Sequence, residues 1–269
     1  MKKTLCLLLL AILSLVTLTS CDDAHTIRVG ASPSPHAQIL NSKAVQDYVK
    51  SKGYTLKVVI YNDYVTPNKA LNDKGIDANY FQHIPYLNEE VENNGYAISV
   101  ACEVHNEPLN LYGKTKKDTW NDTKIYIIND KTNVARAFEL LKVNGLISSY
   151  DVTNFNAENP VYTSEIGVTI ECIDSGLLHF KVEEGGYAVI PGNYALTAWN
   201  TSKITEYKIF GESTAVALPN IIAVRTEDLG SEKTKILVEA LSQPEVQVYI
   251  ESTFGATVSY LFKSHLTQE

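Results

Sequence analysis

The stretch TIRVGASPSPHAQILNSKAVQDYVKSKGYTLKVVIY (residues 26–61) decides the fold class. TIRVG (26–30) is a short β-rich run. After the turn at Pro33 and Pro35, Ile39, Leu40, Val45, Tyr48 and Val49 recur at helical steps, and Lys52-Gly53 is a suitable helix stop. Tyr54 to Tyr61 then alternates, with Leu56, Val58 and Ile60 on one face. Strand, helix, strand in that order implies a parallel pair joined by a right-handed crossover, the building unit of an α/β protein.

Working outward, the same grammar continues. A helix is expected over 67–73, a strand near 76–81, a helix over 85–94 and a strand over 96–104. The pattern restarts with a strand at 124–128 and a helix at 132–144, with Thr132 as its N-cap and Gly145 as its C-cap. Further strands fall at 187–190 and 221–224, and helices at 194–199, 231–241 and 244–254. Two successive α/β blocks are expected to hold a ligand in the cleft between them, outside the carboxyl ends of the strands, with the last helices packing back on the first block.

Composition narrows the function. The 269 residues carry 23 basic and 31 acidic side chains, a formal charge of −8. No dense basic run occurs, which argues against a nucleic-acid partner. There is no G-x-S-x-G, no G-x-G-x-x-G, no Walker loop, no H-E-x-x-H and no EF-hand loop, so no catalytic residue, metal or cofactor is expected. The six histidines read as scattered. Cys102 and Cys172 fall in alternating strand-like runs, and two buried single thiols are favoured over a disulfide.

The N-terminus reads as an address. Lys2 and Lys3 precede an uncharged apolar run from Leu5 to Leu18, too short to span a bilayer comfortably. Leu18-Thr19-Ser20-Cys21 resembles a bacterial lipobox, which implies that residues 1–20 are removed and that Cys21 is acylated. The body would then be tethered by lipid at a cell membrane, facing the periplasm or the extracellular side.

A polar and aromatic constellation stands out in the rest of the chain. Asp77 to Tyr86 (DANYFQHIPY) gathers rings with Gln, His and Pro at a strand-to-helix loop, and Tyr61-Asn62-Asp63-Tyr64 ends an earlier strand on the same edge. Rings with polar tips near a loop need partners, which sets them apart from plain core. In the second block, Asn129 to Arg136 (NDKTNVAR) opens a helix, whose free N–H groups and the Arg136 fork suit a carboxylate. A surface pairing of Arg136 with Glu139 is the competing reading. Asn193 and Asn220 each sit beside a strand end.

At these residues the chain resembles the NlpA family of methionine-binding lipoproteins, the substrate-binding components of an ABC importer. The matching blocks are VGASPSPHAQIL (29–40), YNDYVTPNKAL (61–71), DANYFQHIPYL (77–87), INDKTNVARAFELL (128–141), PGNYAL (191–196) and PNIIAVR (219–225). The resemblance implies a type 2 periplasmic-binding fold: two α/β lobes, two crossovers and a cleft. Lobe 1 would comprise 21–113 and 211–269, and lobe 2 would comprise 114–210. It further implies that Tyr64, Phe81, His83 and Tyr86 surround a thioether, that Arg136 holds the carboxylate, and that Asn193 and Asn220 bind the amino-acid backbone groups. The expected partners are L-methionine, the importer's permease and ATPase, and the membrane through the lipid; the protein is expected to act as a monomer without enzymatic activity. The chain departs from the family pattern at Ser34, Asn110, Ile128 and Pro191. The alternatives are a methionine-containing dipeptide or another small amino acid, a periplasmic lyase or dehydratase on the same scaffold, and an adhesion lipoprotein.

Overall fold

The computed structural model describes residues 24–213 and 218–266. The signal segment 1–20 and Cys21 lie outside them. Among the described residues thirteen strands form three sheets. The first large sheet contains β1 (Thr26–Ala31), β2 (Thr55–Ile60), β3 (Ala78–His83), β4 (Ile98–Asn106), β12 (Asn220–Arg225) and β13 (Ser259–Ser264), in the order β13-β4-β12-β3-β1-β2. The second contains β5 (Asn110–Tyr112), β6 (Lys124–Ile128), β9 (Thr169–Ile173), β10 (Tyr187–Ile190) and β11 (Lys208–Gly211), in the order β11-β5-β10-β6-β9. β7 (Ser149–Asp151) and β8 (Val161–Thr163) form a small antiparallel pair.

β1 and β2 pair in parallel, Thr26 opposite Thr55 through Ala31 opposite Ile60, as the opening stretch requires. The connection is two helices rather than one. His36–Leu40 ends at Asn41, and Lys43–Ser51 begins afresh because the Ser42 side chain accepts the Val45 N–H, the N-cap arrangement that starts a new helix. A similar local effect corrects the start of helix Lys131–Val143. Its N-cap is Asp130, whose carboxylate accepts the Asn133 N–H at 2.9 Å, while the Thr132 hydroxyl donates to that same carboxylate.

Each large sheet has apolar packing of its own. In the first, Val29, Val104, Ile222 and Val224 pack with Ile236, Leu237, Val246 and Ile250 from the last two helices, Glu232–Leu241 and Pro244–Phe254. In the second, Ile125, Ile127 and Val189 pack with Phe138 and Leu141 from helix Lys131–Val143. The chain passes from the first sheet to the second between Asn106 and Asn110 and returns between Gly211 and Asn220. β5, placed with lobe 1 by the sequence division, pairs antiparallel with β10 and β11. That long-range pairing is invisible in a run of three residues.

Cys102 lies buried on β4, and Cys172 lies half-buried on β9 in the other sheet; both are free thiols. Among the described residues no helix is long and apolar enough to cross a membrane.

Candidate functional site

Strand ends converge where the two sheets face each other. The C-terminal end of β3 lies beside the N-terminal end of β12, with Asn220 opposite His83, and Asn220 is also opposite His105 near the end of β4. Between β3 and β12 the register shifts: Gln82 pairs with Ile221 and Tyr80 with Ile222, so Phe81 falls in a bulge. A bulge re-aims side chains that simple alternation would hold on fixed faces.

The result is a hollow with about 350 Å3 of space between its lining atoms, part of it open to solvent. Tyr64, Phe81, His83 and Tyr86 line it from the first sheet's side and Arg136 and Asn193 from the second's, with Asn220 at its edge. Seven residues singled out in the sequence thus meet in one place.

One end is aromatic. Ring centroids stand 5.8 Å apart for Tyr64 and Phe81, 5.8 Å for Tyr64 and Tyr86, and 6.1 Å for Phe81 and Tyr86. The Tyr86 hydroxyl donates to the Tyr64 carbonyl at 3.1 Å, and the Tyr64 hydroxyl reaches across the cleft to donate to Asn193 Oδ1 at 2.7 Å. Burial lifts both phenols above their ordinary range, so they remain neutral donors.

His83 stands between the two ends. It closes β3 and caps helix Ile84–Asn94, its Nδ1 accepting the Tyr86 N–H at 3.2 Å. Its Nε2 faces Asn133 Oδ1 across the cleft at 3.3 Å. Burial first, and then the Arg136 charge, hold its pKa down to about 3.

The other end is charged. Arg136 donates through Nε and Nη2 to the two Glu212 oxygens at 2.9 and 2.6 Å, through Nη1 to Asn133 Oδ1 at 3.0 Å, and through Nη2 to the Glu107 carbonyl at 3.3 Å. Its partner is therefore Glu212, on the returning crossover, and not Glu139, which takes the Tyr150 hydroxyl. A guanidinium has five N–H donors, so one Nη1 hydrogen remains for a ligand.

Glu107, Asn133, Gln82, Pro191 and Gly192 complete the lining and were not singled out as site residues in the sequence. One of them left a signal: Asn133 is one helical turn before Arg136. Pro191, a departure from the family pattern, precedes helix Gly192–Ala198. Ile128 is buried in the core, Ser34 donates to Gln38, and Asn110 donates to the Tyr112 hydroxyl.

The scattered histidines are a further correction. The fold gathers His36, His105 and Glu107, whose ligand-type atoms lie within 4.8 Å of one another. By residue type this set suits a metal, but its contacts are hydrogen bonds. His105 Nε2 meets Glu107 Oε1 at 2.7 Å, and His36 Nε2 meets Asn220 Oδ1 at 3.0 Å and Glu107 Oε1 at 3.3 Å. Both Nε2 atoms face oxygen acceptors and so carry the protons. The opposite ring nitrogens face hydroxyls, His36 Nδ1 that of Ser32 at 2.6 Å and His105 Nδ1 that of Tyr80. Burial lowers His36 to about 4 and His105 to about 3, and raises Glu107 to about 7.

Comparison with known proteins agrees with this architecture. The family described as NlpA lipoprotein matches residues 27–261. The methionine-binding lipoprotein MetQ of Bacillus subtilis is 36% identical over 244 residues, covering 86% of each chain. The D-methionine-binding lipoprotein MetQ of Escherichia coli is 28% identical over 243 residues, covering 87% of each. A nutrient-binding protein from Burkholderia cenocepacia, solved bound to methionine, superimposes with a TM-score of 0.77 at 32% identity, covering 87% of this chain and 99% of that one.

Proposed function

The chain belongs to the NlpA lipoprotein family, and from that premise we propose that it is the lipid-anchored receptor of an ABC importer, closing on L-methionine between its lobes and delivering it to the membrane permease. It is a substrate-binding lipoprotein and not an enzyme. Lipid on Cys21 would hold it at the membrane, on the periplasmic or extracellular side.

The observation that carries the reading is the two-ended hollow: rings at one end, guanidinium and carboxylate at the other, in about 350 Å3. A polarizable thioether packs well against ring edges, at about 0.3–1.5 kcal/mol per contact. A carboxylate needs charge-assisted partners, each worth about 1.5–3 kcal/mol. In this reading Tyr64, Phe81, His83 and Tyr86 hold the thioether. The remaining Arg136 hydrogen and the amides of Asn193 and Asn220 take the carboxylate. Contacts to both lobes give the ligand its differential affinity for the closed form.

The test is the mass of the small molecule released on denaturing the purified protein, followed by calorimetry with L-methionine, D-methionine and a methionine-containing dipeptide. Methionine released, and the L-form bound most tightly, is the expected outcome. A neighbouring hollow of about 710 Å3 shares Tyr64 and Asn193 with the first, so the dipeptide is the competitor that matters most. Tighter binding of the dipeptide would overturn the assignment.

A further inference from the structure

The donor and acceptor accounting of the hollow is unbalanced. Every side-chain amide oxygen on its lining already accepts a hydrogen bond. Gln82 Oε1 takes one from Asn68 at 2.9 Å, Asn193 Oδ1 one from Tyr64 at 2.7 Å, and Asn220 Oδ1 one from His36 at 3.0 Å. Asn133 Oδ1 takes two, from Arg136 and His83. Gln82 Nε2 is spent on Asn68 and Asn79 and Asn133 Nδ2 on Asp130, which leaves the NH2 groups of Asn193 and Asn220 for a ligand, and those serve a carboxylate. An α-ammonium brings three N–H donors and no acceptor.

Glu107 is the one carboxylate on that lining, and it is only 5% exposed. Burial pushes it up to about 7, so its charge depends on the donors around it. Oε1 takes the His105 N–H and lies beside that of His36, and those rings lean on the Tyr80 and Ser32 hydroxyls. Oε2 lies against Gly192, where a Cβ would come within 2.8 Å of it, so only glycine leaves the oxygen its place. Arg136 cannot neutralise this carboxylate by direct contact, because it is bidentate to Glu212 and reaches only the Glu107 backbone carbonyl. With both imidazoles neutral, an ionised Glu107 leaves the charged end one negative charge in excess.

We infer that Glu107 is the receptor for the ligand's α-ammonium and so selects α-amino acids over acids of the same shape that lack the amine. The inference rests on the proposed function, because it needs an amino acid in the hollow. Two neutral relays, Ser32 to His36 and Tyr80 to His105, converge on Glu107 and hold its charge without adding a cation that would repel the ammonium. The carboxylate and ammonium of an amino acid share one carbon, and the Arg136 contact with the Glu107 carbonyl puts their two receptors side by side.

The experiment is calorimetry on wild type and Glu107→Gln with two probes, L-methionine and its α-hydroxy analogue, 2-hydroxy-4-(methylthio)butanoate. Wild type is expected to favour methionine by about a hundredfold or more, and the Gln variant to lose about tenfold or more in methionine affinity while its hydroxy-acid affinity changes little. Unchanged methionine affinity in the Gln variant, or the same preference in both proteins, overturns the inference and leaves the receptor function intact. If wild type binds neither probe, the proposed function fails and the inference with it. Should the Gln variant not fold, Glu107→Asp keeps the charge one methylene back; it is expected to keep the preference at reduced affinity, and losing the preference altogether overturns the role of charge.

Discussion

The two ends of the hollow are built in different ways. The aromatic end comes from one continuous stretch, Tyr64 to Tyr86, shaped by a bulge at Phe81 and a helix cap at His83. The charged end draws on six separate segments, contributing Ser32 and His36, His105 and Glu107, Asn133 and Arg136, Gly192 and Asn193, Glu212, and Asn220. Ring packing is short-ranged and tolerant, so a single stretch can supply it. Holding a zwitterion out of water needs charges and hydrogen bonds whose partners are already fixed, and no single stretch can surround it. On the proposed function, side-chain selectivity would thus be local, and head-group recognition would belong to the tertiary structure.

The largest effect that would break this contrast is at the charged end. Arg136→Ala strands Glu212, whose side chain is 11% exposed. We expect a stability loss of about 3 kcal/mol from the unpaired carboxylate and methionine binding weakened about tenfold or more. Thermal melts and calorimetry read both, and wild-type values in both would remove Arg136 from the site.

Next in size is the acid response. His36, His83 and His105 are held to about 4, 3 and 3 when folded, against 6.5 for an ordinary histidine. Below pH 6.5 the unfolded chain takes up protons that the folded one refuses, so their stabilisation is full above that pH and is lost as pH falls. Glu107, raised to about 7, has the opposite sign: its contribution is present in acid and is lost as pH rises through 7. Three groups outweigh one, and stability should fall by roughly 2 kcal/mol per pH unit below pH 6.5. A melting temperature level from pH 7.5 to 5 would contradict this reading of the imidazoles.

The aromatic end should give a smaller, ligand-specific effect. Phe81→Ala is expected to weaken methionine about tenfold while leaving alanine, which cannot reach the rings, nearly unchanged; equal losses for both ligands would dissolve the division between the ends. Smallest is Tyr64→Phe, which keeps the ring and deletes the bond to Asn193. A few-fold faster release, about 1 kcal/mol, is expected by stopped-flow fluorescence, and no change in release would show that this bond does not hold the lobes together.

The same division explains what was legible in the sequence. β6 and β10 fall at the residues expected, because short apolar runs between turns leave little choice. The aromatic end was readable for a similar reason: its residues are neighbours in the chain. Arg136 could be noticed at a helix start, but its partner could not, because Glu212 is 76 positions away. Glu107 lay in an ordinary-looking His-Asn-Glu-Pro turn. Only the pairing of β12 between β3 and β4, joining distant parts of the chain, puts His36, Asn220 and His105 around it. The break at Ser42 and the cap at Asp130 went the other way: both signals were local, but periodicity ran one helix through Ser42 and drew the cap two residues late, at Thr132.

The two crossovers are stitched to each other: the Leu109 N–H donates to Glu212 Oε2, the Glu212 N–H donates to the Leu109 carbonyl, and Arg136 grips both segments. In a pair of jaws the parts beside the axle travel least. On the proposed function, a guest's carboxylate arriving there meets Arg136 before the jaws shut, whereas the bond that closes the far end, from Tyr64 on one side to Asn193 on the other, exists only after they do. Capture would run from the axle outward, and the tail would be inspected last.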